Sequence, residues 1–234
     1  CIFVLVLLGC HNVVMCNQST LLLGYLLLYG YDVSGKAYLL RVAGMLVGGI
    51  MTGMVFYRNH KHIEYKQRFR HIFEEFDLST SRTRWQICIT LGVSSAIFLA
   101  GLLNLPRAMW VGIATMSVLV PFRENVKGRV KGRIPGNIMG GATFLILYFL
   151  LPESMYSLIG VFGGIGVGLS VSYGWQAVFN SWGAISIAMT FLGVEGAIFY
   201  RIFNNALGAV YAMLFDRVFF KIVDRIPEKE SLQA

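Results

Sequence analysis

The feature that most restricts the fold of this chain is a series of long apolar segments that carry almost no charge. Nine such segments lie at about residues 2–16, 18–31, 38–57, 86–104, 109–122, 134–151, 156–172, 175–192 and 197–220. A helix that crosses a bilayer needs about 20 mostly apolar residues, and several segments approach that length. With only 14% charged residues, the chain has too little polar surface for a water-soluble globule. The sequence therefore predicts an all-α, polytopic transmembrane bundle of roughly eight or nine helices.

The basic residues indicate how such a bundle is oriented. Of the twenty Lys and Arg residues, seven lie within 58–84, five within 123–133 and four within 217–229. Cytoplasmic loops of membrane proteins carry an excess of Lys and Arg, so we expect these three segments and the C-terminus to be cytoplasmic. Because these basic residues flank membrane helices and lack interleaved aromatic residues, they argue against nucleic-acid binding.

The longest polar stretch, residues 58–84, alternates apolar and basic residues and predicts an amphipathic helix on the inner leaflet. His60, His62 and His71 leave a metal-binding or pH-sensing role open there, although a solvated basic face near anionic lipid is the simpler interpretation. We expect no resident metal and no other cofactor. The four cysteines show no metal-ligand spacing and are expected to be free thiols.

One motif occurs three times: an Arg, a small or amide residue three positions later, and a Gly at the seventh position. The copies are Arg41 with Gly44 and Gly48, Arg133 with Gly136 and Gly140, and Arg201 with Asn204 and Gly208. In a helix this spacing places a cation and a close-packing groove on one face. The expected topology puts Arg133 at the cytoplasmic end and the other two arginines at the opposite end, which predicts inverted three-helix repeats as in many secondary transporters. Arginines that snorkel to headgroups and generic small-residue packing are the alternative explanation.

The same motif supplies the candidate substrate-binding residues. An Arg guanidinium matches a carboxylate and stays charged at any working pH, so Arg41, Arg133 and Arg201 are candidates for holding an anion. Aromatic substrates could stack on Trp110 or Trp175, and Asn204 and Asn205 could orient polar groups. The alternatives are interface anchoring for the tryptophans and interhelical hydrogen bonds for the asparagines. The glycines Gly44, Gly48, Gly136, Gly140 and Gly208 are expected to pack helices closely.

No constellation of His, Asp or Ser suggests catalysis, so we expect no enzyme and no catalytic residues. Between residues 134 and 200 the acids are Glu153 and Glu195, both in expected outer loops. Proton coupling through a buried carboxylate is therefore weakly supported by the sequence. A passive channel for organic anions, or a structural membrane subunit without transport, remains an alternative to an exporter.

Three stretches of the sequence resemble a known family. The run Pro106–Trp110, the basic run Arg123–Arg133 leading into Gly136–Gly141, and Arg201–Gly208 resemble the fusaric acid resistance and aromatic acid exporter superfamily. The resemblance covers about residues 85–222 as one six-helix unit. It implies a dimeric α-helical protein of the bacterial plasma (inner) membrane that exports small organic anions such as aromatic carboxylic acids, with membrane lipid as its other partner.

This resemblance also divides the chain. Residues 1–57 are expected to be the last helices of a first transmembrane unit whose beginning is missing, and residues 58–84 a cytoplasmic amphipathic linker. Residues 85–222 would form the six-helix unit, and residues 223–234 a cytoplasmic tail.

Overall fold

The computed structural model describes residues 1–64 and 68–227, and its regular elements there are all helical. The helices are α1 Ile2–Gly9, α2 Gln18–Tyr29, α3 Gly35–His60, α4 Phe69–Glu74, α5 Ser81–Leu102, α6 Met109–Val118, α7 Asn125–Leu150, α8 Tyr156–Leu169 and α9 Tyr173–Val223. Two short 3₁₀ turns cover Val13–Met15 and Glu153–Met155. The all-α fold predicted from the sequence is confirmed.

Helix α9 consists of two arms that meet at Gly193. This glycine has φ 68° and ψ 169°, which only a residue without a Cβ adopts readily, so the helix reverses there. We call residues 173–192 the first arm and residues 194–223 the second arm. Along α7, Gly136 packs against Gly174 and Gly140 against Val178, so α7 and the first arm run in the same direction.

The second arm runs against α7. Arg133, early in α7, bonds to Asn205, whereas Gly141, farther along α7, packs against Ile202 and Ile198, earlier in the second arm. Since α7 is parallel to one arm and antiparallel to the other, the two arms form a hairpin around α7. Arg133 of α7 and Arg201 of the second arm both lie in this three-helix arrangement.

Helices α5, α6, α7, α8 and the two arms cross the bundle in alternating directions. Gly92 of α5 packs against Leu119 just past the end of α6, and Gly112, near the start of α6, packs against Ile97 farther along α5. Helix α8 likewise runs against the first arm, because Gly160 faces Ser186 while later residues of α8 face earlier ones of the arm. Residues 81–223 thus make six passes.

The two ends of this bundle differ in charge. At one end, where α5 and α7 begin, Asp224 lies 3.4 Å from the Arg123 guanidinium and 3.9 Å from that of Arg84. We call this the basic end. The loop 103–108, between α5 and α6, lies at the opposite end.

Several helices are shorter than the sequence pattern predicts. Helix α1 has eight residues, α2 has 12, α6 has ten and α8 has 14, below the roughly 20 needed for a full crossing. In the described ranges, α3, α5 and α9 are long and apolar enough to cross a membrane. The expected lengths of several segments are therefore corrected, whereas the number of membrane helices stays a prediction. Segment 2–16, for example, is interrupted because Asn12 caps a 3₁₀ turn and Cys16 adopts φ 52°.

The predicted single amphipathic helix over residues 58–84 is wrong for the part of it that the structure describes. Helix α3 continues to His60, α4 has six residues, and α5 starts a new helix. The Asp77 carboxylate accepts the Ser79 N–H, and the Thr80 hydroxyl accepts the Thr83 N–H as an N-cap. These local bonds favour a turn and a fresh helix start. Residues 65–67 lie outside the described ranges.

Helix α3 packs differently from the other long helices, because none of its residues is buried. A Cβ added at Gly44 or Gly48 would meet nothing within 4 Å. The helix-packing role predicted for these two glycines therefore stays a prediction. Most of the predicted tail, residues 228–234, lies outside the described chain.

Candidate functional site

The interior of the bundle holds Arg133, which is 4% exposed and donates a hydrogen bond from each of its three guanidinium nitrogens. Its Nε and Nη2 both donate to Oδ1 of Asn205, at 3.1 and 2.8 Å. Its Nη1 donates to the Tyr173 hydroxyl at 2.8 Å, and that hydroxyl donates to the Ser117 hydroxyl at 2.9 Å. Arg133 is thus held in one orientation by groups from α6 and both arms of α9.

Arg201, on the second arm, is as deeply buried but has far fewer partners. Arg201 is only 2% exposed, and its Nε is buried without a hydrogen-bond partner. Its guanidinium carbon lies 5.2 Å from the centroid of the Trp110 ring. The neighbouring Asn204 also has a buried oxygen, Oδ1, without a partner, while its Nδ2 donates to the Pro106 carbonyl at 2.8 Å.

The two guanidinium groups form a buried positive region without a counter-charge. Asn205 connects the two arginines, since its Nδ2 donates to the Arg201 carbonyl at 2.7 Å while its Oδ1 accepts from Arg133. In the part of the chain that the structure describes, no carboxylate lies within ion-pair distance of Arg133 or Arg201. Burying charge without a partner is costly, so this region favours a bound anion.

The two central copies of the sequence motif have matching surroundings. In the first, Asn137 Nδ2 donates to the Arg133 carbonyl at 2.7 Å; in the second, Asn205 Nδ2 donates to the Arg201 carbonyl at the same distance. Both asparagines thus bond back to the arginine of their own motif. The side chains differ, because Arg133 bonds across to Asn205 while Arg201 makes no equivalent bond to Asn137.

The glycines of the two copies also match. A Cβ on Gly140 would lie 2.6 Å from the Val178 carbonyl oxygen, and one on Gly208 would collide with the Val111 carbonyl oxygen. Gly136, in the first copy, is equally close to Gly174. Each motif therefore lets a neighbouring backbone approach closely. The inverted three-helix repeat is a separate claim about the whole unit, and it stays a prediction.

The structure does not bring Arg41 to the other two arginines. Arg41 lies in α3, where its Nη1 donates to the Leu28 carbonyl at 3.0 Å, and it lines a separate cleft. Trp175 is also apart from the buried site: it is 52% exposed in the first turn of α9 and packs near Phe179. Trp110, by contrast, is buried beneath Arg201.

The sequence analysis missed one buried acid and the role of one hydroxyl. Asp216 of the second arm is 8% exposed, with Oδ2 3.8 Å from Arg123 Nε at the basic end. In the sequence it resembles an ordinary helix-flanking charge, and packing alone shows that it is buried. The hydroxyl is that of Tyr173, which accepts a hydrogen bond from Arg133 and so holds its side chain.

The sequence of this region matches a model of a known protein family. The model described as fusaric acid resistance protein-like matches residues 95–215, just over half of the chain. The chain belongs to this family. Both buried arginines lie within the matched region, whereas α3 and Arg41 lie outside it. No curated protein and no solved structure matches the chain.

Family membership and the long apolar helices together make this chain a multi-pass membrane protein of a transporter family. The fusaric acid resistance protein-like region begins inside α5 and ends inside the second arm of α9. It therefore includes Trp110, Asn137, Tyr173 and Asn205, the neutral groups around the buried arginines.

Proposed function

We propose that this family member exports small organic anions, aromatic carboxylates among them, across the inner membrane of a bacterium. The observation that carries the proposal is the pair Arg133 and Arg201, buried in the bundle without an acid within ion-pair distance in the described chain. A permanent anion partner inside the protein would neutralise this charge and block the site. A mobile anion that enters and leaves accounts for the uncompensated charge.

The surroundings of Arg201 favour a carboxylate attached to an aromatic ring. Its buried Nε has no protein partner, so the guanidinium can present a two-pronged donor face to a carboxylate. The Trp110 ring beside it can stack on the ring of the same substrate. Arg133, held by Asn205 and Tyr173, supplies a second positive charge in a fixed position.

The remaining elements of the proposal concern orientation and mechanism. The basic end and the C-terminus would face the cytoplasm. The protein would function in lipid as a homodimer, and it would catalyse no reaction. The matching surroundings of the two central motifs support alternating exposure of the site to the two ends. A passive anion channel is the second candidate, because among the described residues no acid lies within ion-pair distance of Arg133 or Arg201 to couple a proton to transport.

The test is uptake of labelled benzoate by liposomes that contain the purified protein. We expect Arg133→Gln and Arg201→Gln each to reduce uptake at least tenfold, because one buried charge-assisted interaction with the anion contributes about 1.5–3 kcal/mol. Arg217→Gln is the matched control: this arginine is exposed on the same arm and contacts Met213. Full uptake by both site variants would refute the proposal.

A second set of uptake measurements determines the direction and the driving force of benzoate transport. Benzoate uptake driven by a proton gradient would support an exporter. Uptake that follows only the benzoate gradient would support the passive channel.

A further inference from the structure

A polar cleft opens at the opposite end of the bundle, away from the basic end. It is an open groove with a volume of about 640 Å³. The end of α2, the start of α3 and the loop before α6 surround it. Its polar and aromatic lining residues are Tyr29, Tyr31, Asp32, Tyr38, Arg41 and Arg107.

Arg107 is held in this cleft by aromatic rings. Its guanidinium carbon lies 4.7 Å from the centroid of Tyr31 and 4.9 Å from that of Phe191. Its backbone adopts φ 56°, a left-handed conformation that costs energy in a residue with a Cβ. The fold therefore maintains a strained backbone that places this cation between two rings.

Arg41 supplies the second cation of the cleft. One of its nitrogens, Nη1, donates to the Leu28 carbonyl, which fixes the side chain and leaves its other donors for a ligand. Asp32 also lines the cleft, but in the described residues it lies within ion-pair distance of neither Arg41 nor Arg107. The cleft thus carries two cations and one acid, an excess of positive charge.

The cleft is connected to the buried site through the start of α6. The Arg107 carbonyl accepts from Asn204 Nδ2 at 3.4 Å, and the Pro106 carbonyl accepts from the same nitrogen at 2.8 Å. Trp110, one turn farther along, lies beneath Arg201. An anion in the cleft is therefore one helical turn from the residue that packs on the buried arginine.

We propose that this cleft is a separate binding site for an aromatic monocarboxylate. Arg41 and Arg107 bind the carboxylate, and the rings of Tyr29, Tyr31 and Tyr38 surround the aromatic ring. A transported anion binds in this cleft before or after it binds Arg201, and this part of the proposal rests on the transport function proposed above. Binding in the cleft does not depend on that function.

Fluorine NMR titration of fluorobenzoate into the detergent-purified full chain tests the proposal. We expect two sites in the unchanged protein. Arg107→Gln and Arg41→Gln should each weaken one site at least tenfold and leave the other intact, and Arg201→Gln should do the reverse. Lys36→Gln is the control for charge alone, because Lys36 is exposed at the start of α3 and does not line the cleft.

The Arg41 variant keeps the test valid if Arg107→Gln fails to fold, since Arg41 lies on a helix without buried residues. A single site in the unchanged protein, or unchanged binding in both cleft variants, overturns the proposal. If the cleft variants lose a site while Arg201→Gln loses none, the cleft proposal holds and the buried-site function fails.

Competition identifies the ligand class. Benzoate should displace fluorobenzoate from the cleft at lower concentration than cyclohexanecarboxylate, which has similar size but no aromatic face. Equal displacement would overturn the assignment of an aromatic ligand.

Discussion

Replacing each buried arginine by methionine should change the stability of the protein in opposite directions. Methionine keeps an unbranched chain of similar shape but removes the charge and all donors. Arg133 loses three hydrogen bonds in this change, to Asn205 and Tyr173. Arg201 loses its proximity to the Trp110 ring, and the change removes a buried Nε that has no partner.

The magnitudes follow from these contacts. For Arg133→Met, the loss of charge-assisted bonds and the unpaired Asn205 oxygen outweigh the relief of desolvation, and we expect about 2–4 kcal/mol lower free energy of unfolding. For Arg201→Met, removal of an uncompensated buried charge outweighs a cation–π contact of about 1–2 kcal/mol. We expect a gain of about 1–3 kcal/mol, similar to other replacements of buried charges by apolar residues.

Denaturant unfolding of the purified variants, followed by tryptophan fluorescence, measures both changes. Arg217→Met is the control, because this exposed arginine should change stability by less than about 0.5 kcal/mol. Although more stable, Arg201→Met should transport no benzoate. If Arg201→Met destabilises the protein as much as Arg133→Met does, Arg201 is not an uncompensated charge and the argument for an anion site fails.

Three further predictions concern packing, coupling and pH. Gly140→Ala should lower the free energy of unfolding by about 1–3 kcal/mol, because its Cβ would meet a backbone carbonyl of α9. Gly164→Ala has open space around it and should raise the free energy of unfolding by up to about 1 kcal/mol. Equal effects of the two variants in thermal unfolding would contradict the packing. Asp216→Asn should abolish the dependence of benzoate flux on a proton gradient, because Asp216 is the buried acid of the described chain. Flux down the benzoate gradient should remain. If flux still depends on the proton gradient, another group couples proton movement to transport. Burial and then the charge of Arg82 lower the pKa of His11 from its ordinary 6.5, so the folded state favours neutral His11. The free energy of unfolding should therefore fall as the pH drops below about 6.5, until the lowered pKa is passed. His11→Gln should flatten this part of the stability profile, measured between pH 7 and pH 5.

Much of the fold could be predicted from the sequence because its determinants are local. The apolar segments at 18–31, 38–57, 86–104 and 109–122 overlap α2, α3, α5 and α6, since the tendency to form an apolar helix depends on neighbouring residues. Segment 175–192 and segment 197–220 correspond to the two arms of α9. The errors were also local: the interruption near Asn12 and the new helix start at Thr80 are capping effects that an apolar average does not register.

The sequence by itself determined that the chain is an all-α membrane protein with arginines and small residues repeated along its helices. Only the tertiary structure decided that Arg133 and Arg201 share a buried region, that Arg41 belongs to a different cleft, and that Asp216 is buried. The physical reason is that hydrogen-bond partners and burial come from residues far apart in the chain. Similar motifs therefore gave all three guanidinium nitrogens of Arg133 a hydrogen-bond partner and left the Nε of Arg201 without one.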